Sequence, residues 1–301
     1  MNIFKKGEWL DIQVPERWNA LSLEYILKNV WQVPKKILHD WKMTNGIKLN
    51  GNHVHLQTLL TTNDRLQLHV FKPEPLDIEP TWMPLDILFE DDHVLVLNKP
   101  AGIDVHPTDS HQSHTLANAV AFHFQCEGIT RKVRHIHRLD RDTSGAILFA
   151  KHALAGAILD RLLAERKIKR TYIALVHGKL KKKKGTINAP IGRDRHHPTK
   201  RRVSKTGQPA ITHYEVLQYD QNQNVSLVRL QLDTGRTHQI RVHLSYLGHP
   251  LVGDVLYGGD PSLPRQALHA ISLSFPHPFT EEQIECTAPP NDSVFDLIKK
   301  A

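Results

Sequence analysis

Four prolines, Pro73, Pro75, Pro80 and Pro84, fall between Phe71 and Asp86 and divide this 301-residue chain. Proline fixes φ and offers no N–H, so neither a helix interior nor a central strand can pass through such a stretch. It reads as a stiff, extended connector. A short front piece over residues 1–72, a linker over 73–85 and a long back piece over 86–301 follow, the last large enough for a substantial core of its own.

In the front piece, Leu23, Ile26, Leu27, Val30 and Trp31 fall on one helical face. Pro34 opens a second helix with Ile37, Leu38 and Trp41 inward, and Asn45-Gly46 ends it. Ile47 to Leu49, the turn Asn50-Gly51 and His53 to Leu56 read as a hairpin, and Arg65 to Phe71 as a further strand.

In the back piece, His93 to Leu97 and Ala146 to Ala150 are short apolar runs, the mark of strands buried on both faces. Between them lies His137-Arg138-Leu139-Asp140-Arg141-Asp142-Thr143-Ser144-Gly145. Its second half, Asp142 to Gly145, has turn chemistry, ending in a glycine free to take positive φ. Asp140 sits between Arg138 and Arg141, and cations beside a carboxylate favour its charged, nucleophilic form. An ordinary structural ion pair is the competing account of the same residues. Further on, His152 to Lys167 reads as an amphipathic helix, Lys169 to Val176 and Val225 to Leu232 as strands, His238 to Leu247 as a helix and Leu268 to Phe275 as a strand. Thr237 is placed to cap the helix from His238, which Gly248 and Pro250 close.

Composition narrows the function classes. A net charge of +8 and a sequence pI near 9.4 suit a polyanionic partner. Two cysteines, Cys126 and Cys286, make neither a disulfide framework nor a zinc ribbon and fit a reducing compartment. Met1 to Leu10 lacks the apolar core of a signal peptide, and no run is long enough to cross a bilayer, so a soluble, cytoplasmic protein is expected.

The string HRLDRDTSG, followed by a strand and Lys151, resembles the active-site motif of the RluA/RluD-type pseudouridine synthases. KRTYIALV from Lys169 resembles that family's second motif and TGRTHQIRVHL from Thr234 its third, in the family's order. NKPAG from Asn98, Val105-His106-Pro107, and the tail strings PLVGDVLYGG from Pro250 and RQALHAISLSFPHP from Arg265 also resemble family strings. The tail strings read as fold-building. The front piece, two helices and a hairpin around Asn50-Gly51, resembles the S-four-type RNA-binding domain.

The resemblance implies an α+β fold: a catalytic domain of mixed, mainly antiparallel sheets around a central cleft, preceded by a small α+β RNA-binding domain. It implies an isomerase that converts uridine to pseudouridine within RNA, with no metal or nucleotide cofactor. Asp140 maps to the catalytic carboxylate, either attacking the anomeric carbon or abstracting a proton after the glycosidic bond breaks. Tyr172 maps to the tyrosine that stacks on the base, and Arg236 to the arginine paired with the carboxylate, with Arg241 as its runner-up. Arg138 maps to the residue that holds the flipped-out state, beside His137. Arg193 and Lys200, in a basic loop resembling the one beside the family's RNA cleft, and Lys35 and Lys36 in the front domain supply phosphate contacts. The expected partner is RNA, ribosomal rather than transfer, with neither DNA nor membrane, and the expected state is a monomer.

Two other accounts fit parts of the chain. A non-catalytic RNA-binding or ribosome-assembly protein would use the basic surface alone. A metal-dependent phosphoesterase would use His135 and His137 as ligands, and chelators would stop it.

Overall fold

A computed structural model describes residues 2–109 and 112–296. The front piece begins with a hairpin, β1 (Ile3–Lys6) and β2 (Trp9–Gln13). A short helix α1 (Leu23–Tyr25) continues as a wider π turn over Ile26–Val30. Ser22 caps it, its Oγ accepting the Tyr25 N–H at 3.1 Å. Helix α2 (Lys35–Met43) follows, then β3 (Ile47–Leu49) and β4 (Asn52–His53) around the expected Asn50-Gly51 turn, and β5 (Arg65–His69). The strands order as β1-β2-β5-β3-β4. Leu10, Ile12, Leu66 and Leu68 form a buried layer with Leu23, Ile26, Leu27 and Trp41 of the helices.

Residues 72–86 carry neither helix nor strand, as the prolines dictate. The back piece then supplies β6 (Ile87–Glu90), β7 (Val94–Lys99), α3 (Leu116–Cys126), β8 (Arg134–His135), β9 (Ser144–Ala150), α4 (Ala153–Ala164) and β10 (Lys169–His177). After these come β11 (Lys184–Asn188), β12 (Ile191–Arg193), β13 (Arg201–Val203), β14 (Ile211–Asp220), β15 (Val225–Leu232), α5 (Gln239–Tyr246), β16 (Leu268–Pro276) and β17 (Gln283–Thr287). The main path of the large sheet runs β11-β14-β15-β10-β16-β9-β7-β6, with β17 on β16 and β8 on β9. Among the described residues, paired strands run antiparallel apart from β9 and β16. The expected α+β architecture with mainly antiparallel sheets is therefore present.

β7 and β9 are buried at every position, because each face has a cover. Val94, Val96, Ala146 and Leu148 meet Leu154 and Ile158 of α4. Leu95, Leu97, Ile147 and Phe149, the alternate set, meet Leu116, Val120 and Phe124 of α3. Each fully buried side chain of this size contributes about 1.5–3 kcal/mol. The α4 side is also where the front piece docks. Trp31 meets Phe279 edge-on with ring centres 5.5 Å apart, and Arg17 forms a two-pronged pair with Glu281. Among the described residues no helix is long and apolar enough to cross a membrane.

Candidate active site

The loop from His137 to Gly145 is pinned at the start of β9 by groups from distant parts of the chain. Lys99, wholly buried at the end of β7, donates to the carbonyls of Pro100, Ile103 and Arg141, each at 2.8 Å. Burial draws its ammonium down to about 7, against the pull of Asp142, Asp104 and Asp140. Arg265 donates to the Asp142 carbonyl and to Ser144 Oγ, each at 3.0 Å. The loop closes on itself through the Thr143 N–H, which donates to the Asp140 carbonyl at 3.0 Å. Gly145 has φ +113°, as the turn chemistry predicts, and a Cβ there would collide with the Ala270 backbone, where β9 and β16 run side by side. Only glycine fits that approach.

This pinning presents Asp140 on the lining of an open cleft of about 1060 Å³. His137, Arg138, Tyr172, Arg236 and Arg241 line the same cleft. Tyr172, on β10, is 4 % exposed, and burial raises its phenol, with a smaller push from the Asp140 charge. It is a neutral ring close to the carboxylate. Arg138 is exposed. His137 is buried; its Nε2 accepts the Leu148 N–H at 3.3 Å, which puts its proton on Nδ1. Burial, with Arg170 and His135 nearby, pushes His137 down to about 3. His135 lies stacked on His106, ring centres 4.7 Å apart, and falls to about 4 for the same reason. Both imidazoles are neutral at physiological pH. No group of three or more His, Cys, Asp or Glu among the described residues is arranged to hold a metal ion.

The pairing assigned to Arg236 needs correction. The guanidinium that meets Asp140 is Arg241, Nη1 to Oδ2 at 3.4 Å. Arg236 instead donates from Nε to the Pro209 carbonyl at 3.1 Å and is exposed at the cleft wall. The cause is the start of α5. Thr237 is not its cap: His238 takes that position in the left-handed region, φ +57°, and the helix begins at Gln239. Gln239 Oε1 accepts the Arg236 N–H at 3.0 Å and the Thr234 hydroxyl at 2.8 Å, fixing the turn with Arg236 outside it. Arg241, the third residue of α5, is turned toward the loop. Arg141 also departs from the expected flanking role, donating from Nε to the Gly102 carbonyl at 3.0 Å.

Arg241 is held by Asp254, which lies in the tail string PLVGDVLYGG. Asp254, 1 % exposed, receives Nε and Nη2 of Arg241, both at 2.8 Å. That fork leaves Nη1 for Asp140. The two carboxylates raise the Arg241 guanidinium, against burial, so it stays charged. Lys99, Arg265 and Asp254 each lie inside quoted strings, but only the fold reveals their partners. Arg193, Lys200, Lys35 and Lys36 do not line the cleft. Arg193 and Lys200 stand on and beside the β12–β13 hairpin; Lys35 and Lys36 are exposed at the start of α2.

Residues 93–246 match the RNA pseudouridylate synthase family, and residues 10–66 match the RluD ribosomal pseudouridine synthase N-terminal domain. The chain is 51 % identical over 286 residues to an uncharacterized RNA pseudouridine synthase, YhcT, of Bacillus subtilis, covering 95 % of each. It is 38 % identical over 277 residues to ribosomal large subunit pseudouridine synthase D of Pasteurella multocida, covering 85 % of this chain and 84 % of that one. Among solved structures, human RNA pseudouridylate synthase domain containing 1 superposes with a TM-score of 0.59 at 28 % identity, over 74 % of this chain and 96 % of that one.

Proposed function

The chain belongs to the RNA pseudouridylate synthase family, and from that premise we propose that it isomerises uridines of large-subunit ribosomal RNA with Asp140 as the reacting carboxylate. The single observation that carries the residue assignment is the Asp140–Arg241 pair lining an open cleft that Tyr172 also lines. In the reaction the bond from uracil N1 to the sugar breaks, the base turns, a bond forms from C5 to the same sugar carbon, C5 gives up its proton and N1 gains one, so that the product is an isomer of the substrate. Asp140 either attacks the anomeric carbon or takes a proton after the bond breaks; both routes need the same carboxylate at the sugar. Tyr172 stacks on the uracil. Arg138 holds the flipped-out state, whose unstacking costs a few kcal/mol.

Binding is shared out along the chain. Residues 1–72 act as the RNA-binding domain through Lys35 and Lys36, residues 73–85 as a linker, and residues 86–301 as the catalytic domain. Arg193 and Lys200 meet phosphates beside the cleft. Support for ribosomal RNA comes from the names of the relatives and from the match of the front residues to the RluD N-terminal domain. The same proposal has the protein act in the cytoplasm as a monomer, on RNA rather than on DNA or membrane. Mapping pseudouridines in large-subunit ribosomal RNA from cells with and without this gene tests the target. Loss of specific sites is the expected outcome; an unchanged map sinks the ribosomal assignment.

A further inference from the structure

The β12–β13 hairpin stands apart from the large sheet as a two-stranded sheet of its own. Ile191 and Val203 seat it in a small separate core with Ala210, Val242 of α5 and Tyr257. Tyr257 supplies a polar tie as well, since the Arg201 backbone N–H donates to its hydroxyl oxygen at 2.9 Å. The phenol proton is then available for His238 Nδ1, 2.8 Å away, whose ring burial favours the neutral, accepting form. The face of the same phenol lies against the Arg241 guanidinium, 5.0 Å from ring centre to Cζ, and Lys200 Nζ stands 5.6 Å from the ring. Tyr257 is itself fixed, being 6 % exposed and tied by the Ser245 hydroxyl to its carbonyl at 2.7 Å. One side chain therefore touches the basic hairpin, the residue that opens α5 and the arginine paired with Asp140.

We propose that Tyr257 is a positioning residue that couples RNA engagement by the β12–β13 hairpin to the placement of Arg241 against Asp140. The proposal rests on Asp140 being the reacting carboxylate. The hairpin carries Arg193, Arg201 and Arg202, cations suited to phosphate. Phosphate contacts there load the Arg201 backbone, and the hydrogen bond passes the load to the phenol, whose face abuts Arg241. Arg241 and Asp254 move as one forked unit, because the guanidinium is a rigid plane, so the adjustable distance is Nη1 to Asp140. That distance stands at 3.4 Å without RNA, the long end for a charged hydrogen bond. Catalytic hydrogen bonds of this kind often tighten only when substrate is bound.

The test is a two-by-two comparison of single-turnover tritium release. The substrate is RNA labelled at uracil C5 and taken from cells lacking this gene. The full-length proteins are wild type, Tyr257→Phe, Arg193→Ala/Arg202→Ala, and the combination, each over a range of enzyme concentration, with Asp140→Asn as control. Tyr257→Phe keeps the ring and removes the hydroxyl. It is expected to lower the saturating rate about tenfold, the scale of one buried hydrogen bond, with the half-saturating concentration little changed. The hairpin variant is expected to raise the half-saturating concentration and lower the saturating rate. The combination should saturate no more slowly than Tyr257→Phe alone, because the route is already cut. Saturating rates that multiply independently, or a full-rate Tyr257→Phe, overturn the coupling while leaving Asp140 in place if the control is inert. A control that turns over like wild type overturns the Asp140 reading and the coupling with it.

Discussion

Arg241 is fixed from two sides, by the Asp254 fork and by the Tyr257 ring, and this restricts what can replace it. Lysine keeps the charge but cannot fork. Arg241→Lys is expected to slow saturated turnover by about tenfold to a hundredfold, the worth of a charge-assisted hydrogen bond. Arg236→Ala, with its side chain exposed and bonded to one carbonyl, should change the saturated rate about threefold or less. Steady-state assays on both variants check the correction directly; a larger loss for Arg236→Ala would restore the first assignment. At this scale a string with a single candidate leads to a single position in the cleft, as for Asp140 and Tyr172. The sequence was ambiguous for the arginine, because Arg236 and Arg241 share one string. The choice between them turns on a left-handed His238, a conformation that side chains other than glycine adopt rarely and that no pattern announces. Asp254 was illegible for a related reason. Its partner is 13 positions away, across a turn, and nothing local marks the pair.

Among the elements, the junction of β9 and β16 is the tightest constraint on the site. Gly145→Ala would put a methyl group into the Ala270 backbone at a positive φ, and should cost at least about 2 kcal/mol. A shift of the denaturant midpoint measures it; an unshifted midpoint would show that the strands separate freely there. Strands with cover on both faces, β7 and β9, could be read as continuous apolar runs. So could α4, from its one-sided spacing. The β1–β2 hairpin went unassigned because Ile-Phe-Lys-Lys neither alternates nor forms a run, and β1 is an edge strand held by its single partner. Helix α3 was missed because it is buried on most sides: Leu116 to Ala121 are all buried, so no polar face gives the 3.6-residue rhythm. β14 escaped because a register shift between Val216 and Gln218 breaks its alternation.

Taken whole, the molecule joins its front and back pieces around Phe71, His93, His152, His277 and Phe279, aromatic rings packed within 6.2 Å of one another where they touch. His93 Nδ1 shares a hydrogen bond with His152 Nε2 at 2.9 Å and also feels Asp91, His277, Asp92 and Lys151; burial outweighs them all, drawing it down to about 4 from 6.5. Between those values the unfolded chain binds more protons than the folded one, so stability is full above pH 6.5 and is lost as pH falls toward 4. His93 alone accounts for about 3 kcal/mol of that loss. Denaturant midpoints at pH 7.5 and pH 5 should show about 2 kcal/mol of it, the part lost by pH 5; equal midpoints would mean that the ring titrates normally. The charge of +8 carries its own expectation: RNA affinity should fall steeply between 50 and 200 mM salt, by about 10³ if six phosphates are met. Filter binding reads the slope, and a flat one would mean recognition without phosphate contacts. The stretch without helix or strand at residues 72–86 was visible in the prolines, whereas the core shared by the residues before and after it depends on Trp31 meeting Phe279, far apart in sequence. The most direct test of the whole account is tritium release from RNA labelled at uracil C5 by Asp140→Asn, alongside its RNA affinity. The account predicts wild-type binding with no release, and a variant that still releases tritium would contradict it.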